Sequence, residues 1–171
     1  MRGVAATLLT VALAAGSSLP LEVQLSRSGA ALEVRLTLNA PLPALLHEAL
    51  PSGAQVRIVY PIQVRSRRAL LWDRRVWRGE LVSTVAFDPL TGRYRCELLL
   101  NDVIVASRET TSPDVALEWL RTPPPFRVIL PPTRHALYLR VRAVYSSTTT
   151  WLVLPQTEGT DWTVVPVREA R

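Results

Sequence analysis

Apolar and polar residues alternate along most of the chain beyond residue 18, and this pattern predicts a protein built mainly of β-strands. Successive side chains of a strand point to opposite faces of the sheet, so a half-buried strand repeats every second residue. The alternating segments are 21–26, 32–38, 54–65, 82–87, 93–100, 103–108, 136–145, 151–154 and 162–167. We predict eight or nine mostly antiparallel strands, forming a β-sandwich or a curled sheet with two short helices.

Turn residues predict which neighbouring strands pair. The turn at 27–30 contains a glycine and joins the first two strands as a hairpin. The turn at 88–92 combines an aspartate, a proline and a glycine, each of which favours one turn position. The pair at 101–102 is Asn-Asp, and both residue types tolerate the left-handed conformation of a tight hairpin. The last two turns predict a three-stranded meander over 80–108.

Two segments that lack the alternation predict the helices. Apolar residues in 42–50 repeat at helical spacing as far as Pro51, and His47 lies off this stripe, facing solvent. Residues 112–114 are Ser-Pro-Asp, which supply an N-cap hydroxyl, a proline in the first turn and an acidic group near the helix dipole. The prolines at 123–125 end this second helix.

Pro61 interrupts the hydrogen-bonding capacity of the segment 54–65. Proline has no N–H to donate to a neighbouring strand, so it is confined to sheet edges and bulges. The sequence therefore predicts that this strand is an edge strand or that it contains a bulge at Pro61.

The first 18 residues are typical of a secretory signal peptide. Arg2 gives a positive start, 4–15 form an apolar core, and a small-x-small cleavage site ends at Ala14, with Gly16 and Ser18 as alternatives. The apolar run has 12 residues, whereas a membrane-spanning helix needs about 20. We expect a periplasmic protein with no transmembrane span after cleavage. The alternatives are an uncleaved anchor and a buried first helix.

The chain is strongly basic, and export determines which partners its charge favours. It has 20 basic residues, all arginine, against 14 acidic residues, giving a formal net charge of +6. Removal of 1–14 takes away Arg2 and leaves +5. An exported protein rarely meets nucleic acid, so we expect an envelope protein or an anionic envelope component instead. The single cysteine, Cys96, cannot form an internal disulfide and is in phase with apolar neighbours, so we expect it in the core.

The segment 65–78 concentrates arginine and tryptophan between two predicted strands. These residue types carry much of the binding energy at protein interfaces, so one hypothesis is a basic loop that binds an anionic or protein partner. The structural alternative is an ordinary connection whose arginines are solvated and whose tryptophans cover the core. The candidate binding residues are Arg65, Arg67, Arg68, Trp72, Arg74, Arg75, Trp77 and Arg78.

No motif predicts a reaction, a cofactor or a metal. The histidines lie in no catalytic signature, and together with Cys96 they do not match the usual spacing of zinc ligands. The seven glycines are scattered singly, so the sequence contains no glycine-rich phosphate loop. A hydrolase would need a cleft that unites at least two of five candidate groups. These groups are Asp73, Glu80, Asp88, His47 and His135.

The leading functional prediction is therefore a non-catalytic binding or accessory module of the periplasm. A carrier for a lipid or a small apolar ligand is the first alternative, and it would need an apolar cavity inside the sandwich. A hydrolase is the second alternative.

Four parts of the chain also carry a family resemblance. They are Leu71-Trp72-Asp73 with Val76, the segment 87–95, the helix at 112–120, and Tyr138 with Arg140, Val141 and Arg142. In these parts the chain resembles the bacterial domain-of-unknown-function family numbered 4390. The resemblance covers nearly all of the mature chain and departs from the family pattern at 154–156 and at Trp162. It implies an exported bacterial protein, and the family assigns no activity.

Overall fold

The computed structural model describes residues 20–68, 72–133, 135–147 and 158–168 of the protein. The predicted leader and the predicted strand at 151–154 lie outside these residues. In chain order the strands are β1 (Leu21–Ser28), β2 (Ala31–Leu38), β3 (Val56–Ser66), β4 (Arg74–Asp88), β5 (Arg93–Leu100), β6 (Val103–Thr110), β7 (Phe126–Ile129), β8 (Leu137–Val141), β9 (Val144–Ser147), β10 (Glu158–Gly159) and β11 (Thr163–Val167). The helices are α1 (Ala44–Ala49), continued by a 3₁₀ turn at Leu50–Ser52, and α2 (Pro113–Arg121). Among the described residues, no helix is both long enough and apolar enough to cross a membrane.

The described strands form two antiparallel sheets that share one hydrophobic core. The small sheet has the order β1-β2-β7. The large sheet has the order β10-β9-β3-β4-β5-β6, with β8 paired to β3 and β11 paired to β8. Leu36 of β2, Tyr60 of β3 and Leu120 of α2 are fully buried members of the same core cluster. The predicted fold class, mainly β and antiparallel with two short helices, is confirmed.

The predicted hairpins are confirmed because their turn residues adopt the backbone conformations that the sequence favours. Gly29 has a φ of 59° between β1 and β2, and Gly92 has a φ of 65° between β4 and β5. Asn101 and Asp102 both have positive φ between β5 and β6. Strands β4, β5 and β6 therefore form the predicted meander.

The prediction that the strand containing Pro61 is an edge strand or has a bulge at Pro61 is wrong. Strand β3 lies inside the large sheet, and its register with β4 shifts only between Val64 and Arg65. One side of β3 pairs with β4. The other side pairs with β9 along 56–59 and with β8 along 62–66. Pro61 falls between these two stretches, where β3 has a neighbour on one side only. The same interruption divides the predicted strand at 136–145 into β8 and β9.

Half of the predicted basic loop at 65–78 is strand. Strand β3 continues to Ser66 and β4 begins at Arg74, so only 67–73 connects them. The register places Val64 opposite Trp77 and Arg65 opposite Arg75, which leaves Val76 as the extra residue of a β-bulge. The extra residue shifts the alternation of apolar and polar positions in β4 by one. The start of β4 was therefore not recognised in the sequence.

The helices form as predicted. The Ser112 hydroxyl accepts a hydrogen bond from the Val115 N–H at 3.4 Å, and Ala116, Trp119 and Leu120 are the buried residues of α2. Cys96 is buried in the core and His47 is exposed on α1, both as expected. Strand β7 was not predicted, since it follows directly after the prolines at 123–125.

Candidate anion-binding site

The predicted binding residues separate into different environments at the end of the large sheet where β3 passes into β4. Trp72 lies in the connection and is 94% exposed, and Arg78 is exposed on β4 opposite Gln63. Trp77 instead is half-buried opposite Val64 and packs against the core. Its ring occupies the space that a side chain at Gly79 would need. Trp77 therefore covers the core, in agreement with the structural alternative for this residue.

Arg65 and Arg67 belong to a polar cluster that fixes the two ends of the connection, at residues 67 and 73, to the segment 136–138 at the start of β8. The Tyr138 hydroxyl donates a hydrogen bond to the Asp73 carboxylate at 2.5 Å. The guanidinium carbon of Arg67 lies 5.6 Å from the centre of the Tyr138 ring, within the range of a cation–π contact. The Arg67 N–H also donates to the Ala136 carbonyl at 2.9 Å. Arg67 and Asp73, at the two ends of the connection, are thereby fixed in place.

The same cluster perturbs two ionisable groups. The hydrogen bond from Tyr138 holds the pKa of Asp73 below its ordinary value, and the Arg68 N–H and the charges of Arg65 and Arg67 act in the same direction. The bond to Asp73 raises the pKa of Tyr138. Asp73 is thus held as a carboxylate whose charge is directed toward the cluster.

A second pair of arginines, next to the predicted set, contacts a tryptophan. The guanidinium carbons of Arg140 and Arg142 lie 4.7 Å and 5.1 Å from the centre of the Trp162 ring. Both distances fit cation–π stacking. These contacts join β8 and the residue that follows it to the segment before β11.

The remaining arginines of the predicted set line a cavity of about 370 Å³ at this end of the sheet. Three chain segments form its walls: the end of β3, the start of β4, and the residues between β7 and β8. Its lining residues are Ser66, Arg68, Arg74, Arg75, Val76, Pro131, Pro132, Thr133 and His135. Of the predicted binding residues, the structure therefore brings Arg68, Arg74 and Arg75 together around one opening.

The β-bulge at Val76 determines how the start of β4 meets the end of β3. It places Arg74 opposite Ser66 and Arg75 opposite Arg65. Opposed residues of antiparallel strands point to the same face, so Arg74 and Ser66 share one face of the sheet. Bulges commonly redirect side chains beside functional sites. Here the bulge lies in the wall of the cavity.

The cavity combines positive charge with unused hydrogen-bonding capacity. Its lining, within the described residues, contains no carboxylate, and Arg68, Arg74 and Arg75 form no ion pair with any described residue. The Ser66 hydroxyl is buried, with the residue 2% exposed, and has no hydrogen-bond partner in the protein. The Arg68 Nε is likewise buried without a partner. Guanidinium groups present planar sets of donors that match carboxylate and phosphate oxygens, so this arrangement suits an anion.

A comparison with known protein families identifies the family to which the chain belongs. The family model described as "Domain of unknown function (DUF4390)" matches residues 21–168. The chain belongs to the DUF4390 family. The match extends through Trp162, so the departure near the end of the chain does not interrupt it. No curated protein and no solved structure matches the chain significantly.

Sequence reasoning found the arginines of this DUF4390 domain but missed the residues that complete the cavity. Ser66 lay within the segment 65–78 but was not among the candidate residues, and no prediction covered Pro131, Pro132 or Thr133. They meet the arginines because β8 pairs with β3 along 62–66. No local signal in the sequence specifies that pairing.

The two alternative functions place different demands on the cavity. Of the five groups that a hydrolase would combine, the cavity lining contains His135 only. Asp88 is the last residue of β4 and accepts a hydrogen bond from the Thr91 hydroxyl, and His47 lies on α1. A carrier for apolar ligands would need an apolar interior cavity, whereas this cavity has three arginines in its wall.

Among the described residues, no group of three or more potential metal ligands occurs.

Proposed function

We propose that this DUF4390 domain is an exported, non-catalytic binding module that holds an anionic partner of the cell envelope at the end of the β3–β4 hairpin. The observation that supports the proposal is the cavity whose three arginines have no ion pair with any described residue. Three guanidinium charges around one opening repel one another, and a bound anion would neutralise them. In this cavity they are left to pair with a partner.

Position and rigidity favour the same surface. Trp72 projects from the connection with 94% of its surface exposed, and exposed tryptophan beside arginine is typical of interface hot spots. The contacts of Asp73 and Arg67 hold the two ends of the connection in place. A pre-organised binding surface loses less conformational entropy when a partner binds.

Reversal of the charge of this surface tests the proposal. The variant carries Arg67→Glu, Arg68→Glu, Arg74→Glu and Arg75→Glu, all at exposed or half-buried positions. A hot-spot arginine contributes about 2 kcal/mol, so we expect the recovery of crosslinked envelope partners to fall by at least about tenfold. Recovery is measured by affinity purification from cells that express the variant at the level of the natural protein.

A second variant with the same change in net charge provides the control. It carries glutamate at four exposed arginines on other strands, Arg93, Arg95, Arg108 and Arg127. We expect it to capture partners as the natural protein does, with both variants showing the natural circular dichroism spectrum. Capture that is unchanged in the first variant, or equally reduced in both, would contradict the proposal.

The export part of the proposal is supported by the leader pattern alone. Its test is the intact mass of the protein isolated from its own cells. We expect a chain that begins after Ala14, Gly16 or Ser18, and retention of Met1 would contradict export.

A further inference from the structure

The Ser66 hydroxyl is the group in the cavity whose burial calls for a ligand. It is 98% buried, has no hydrogen-bond partner in the protein, and lies in the cavity wall. A buried polar group without a partner costs about 1–3 kcal/mol, and native proteins rarely leave one unsatisfied. Alanine would fill almost the same volume on this strand without that cost. The serine at this position therefore serves something other than the packing of the sheet.

Two further donors belong to the cavity lining, the half-buried Thr133 on the opposite wall and Arg68 on the same side as Ser66. The Thr133 hydroxyl accepts a hydrogen bond from the His135 N–H at 3.2 Å, which leaves its own proton to donate elsewhere. The Arg68 Nε is buried without a partner. Donors thus outnumber acceptors around an opening whose described lining holds no carboxylate.

We infer that the cavity binds the phosphate group of a small phosphorylated ligand, with Arg68, Arg74 and Arg75 neutralising the phosphate and Ser66 and Thr133 donating hydrogen bonds to it. The inference rests on the proposed function, since it specifies which anion the arginine surface recognises. No bond in the ligand is made or broken.

Charge and size both favour a phosphate monoester over a carboxylate. A monoester carries about −1.5 to −2 charge at neutral pH and three acceptor oxygens. That matches three guanidinium groups and two hydroxyls better than the single charge of a carboxylate does. The cavity of about 370 Å³ lies at the small end of the range for ligand pockets. It has room for the phosphate and a short organic body beside Val76, Pro131 and Pro132.

Calorimetric titration of the purified protein with inorganic phosphate and glycerol 3-phosphate tests the inference, with acetate as the comparison anion. We expect saturable binding of both phosphates and at least about tenfold weaker binding of acetate, since it offers one charge and two oxygens. Arg74→Gln should weaken phosphate binding by at least about tenfold. Ser66→Ala should weaken it about threefold to tenfold, the effect of one neutral hydrogen bond.

Ser83→Ala provides the matched control for Ser66→Ala. Ser83 is also fully buried, but its hydroxyl donates to the Trp119 carbonyl at 3.3 Å, and it lies outside the cavity. We expect Ser83→Ala to lower the urea midpoint of unfolding and to leave phosphate binding unchanged. We expect Ser66→Ala to weaken phosphate binding without lowering the urea midpoint of unfolding, because removal of the Ser66 hydroxyl leaves no group of the protein unpaired.

The source of the phosphate is distinguished with phosphatidylcholine vesicles prepared with and without phosphatidic acid. Binding to the vesicles with phosphatidic acid, lost in Arg74→Gln, identifies a lipid headgroup. Binding of glycerol 3-phosphate without vesicle binding identifies a soluble ligand. Absence of phosphate binding, equal binding of acetate, or full binding by both Ser66→Ala and Arg74→Gln would overturn the inference. If the charge-reversal variant nevertheless loses its envelope partners, the proposed function stands and only the phosphate assignment fails.

Discussion

Tyr60 and Tyr138 show how two tyrosines on paired strands of one sheet serve different purposes. Tyr60 points into the core from β3, and its hydroxyl donates to the Leu120 carbonyl at 3.0 Å. Tyr138 points to the other face of β8 and donates to Asp73. The Leu120 carbonyl belongs to the last turn of α2, whose carbonyl groups have no partner within the helix. Tyr60 thus attaches the end of α2 to the centre of the large sheet.

Tyr60→Phe should destabilise the protein because it leaves the Leu120 carbonyl without a donor in the core. A buried acceptor left unpaired costs about 1–3 kcal/mol, which urea unfolding at neutral pH will measure. Burial raises the pKa of Tyr60 above its ordinary value of 10.0. The natural protein should therefore keep the full contribution of this residue below pH 10 and lose it as the pH rises further.

Tyr60→Phe should lack this part of the alkaline loss, so the stability difference between the two proteins should shrink above pH 10. A difference that stays constant from neutral to alkaline pH would contradict the role given to the buried hydroxyl.

At the scale of the elements, local chemistry predicts the turns and helices, whereas strand position depends on distant partners. The N-cap at Ser112 and the glycine turns are specified by single residues, and the structure has them as predicted. The prediction for Pro61 was wrong because the break between β8 and β9 leaves β3 with a neighbour on one side only at Pro61. A proline without an N–H is tolerated there although β3 lies inside the sheet. The bulge at Val76 hid the start of β4 in a similar way. Both errors concern the pairing of strands across the sheet, which cannot be predicted from the residues of one strand alone.

The contact between Tyr138 of β8 and Asp73, at the end of the connection, gives a prediction at this scale. Tyr138→Phe removes the hydrogen bond that contributes most to lowering the pKa of Asp73, so that pKa should rise toward 3.8. Carboxyl NMR titration measures the shift. A depressed pKa contributes stability above 3.8 that is lost as pH falls through the folded value, so the variant should be less sensitive to acid than the natural protein.

Tyr94→Phe is the matched control, since Tyr94 is equally buried but stacks on Phe87 with ring centres 4.8 Å apart. It should leave the titration of Asp73 unchanged. In Tyr138→Phe the Arg68 amide, which donates to Asp73, should also exchange its hydrogen faster. An unshifted Asp73 in Tyr138→Phe would show that the arginines alone hold this carboxylate.

At the scale of the whole molecule, the candidate site exists only because the β3–β4 hairpin meets the residues between β7 and β8, which are distant in the sequence. The arginine-rich composition of 65–78 was visible in the sequence, and three of its arginines line one wall of the cavity. The opposite wall, which includes Thr133 and His135, is supplied by the antiparallel pairing of β8 with β3. The apolar alternation required such a pairing but did not specify which strands would form it. The positive charge of this surface could therefore be predicted from the sequence, whereas the cavity could not.

The two ends of β4 offer a direct comparison for the proposed function. Trp72 lies just before Arg74, where β4 begins, and Leu90 lies in the turn that follows Asp88, where β4 ends. Their exposed fractions are 94% and 95%, so the two positions are equally accessible. Only the end at Trp72 adjoins the arginine-lined cavity.

The most direct measurement is photocrosslinking in living cells, with a photoreactive amino acid placed at position 72 in one variant and at position 90 in another. If the end of the β3–β4 hairpin holds an envelope partner, position 72 should give a discrete crosslinked product that the charge-reversal variant loses. Position 90 should give none. Equal crosslinking at the two positions, or no product at position 72, would contradict the account.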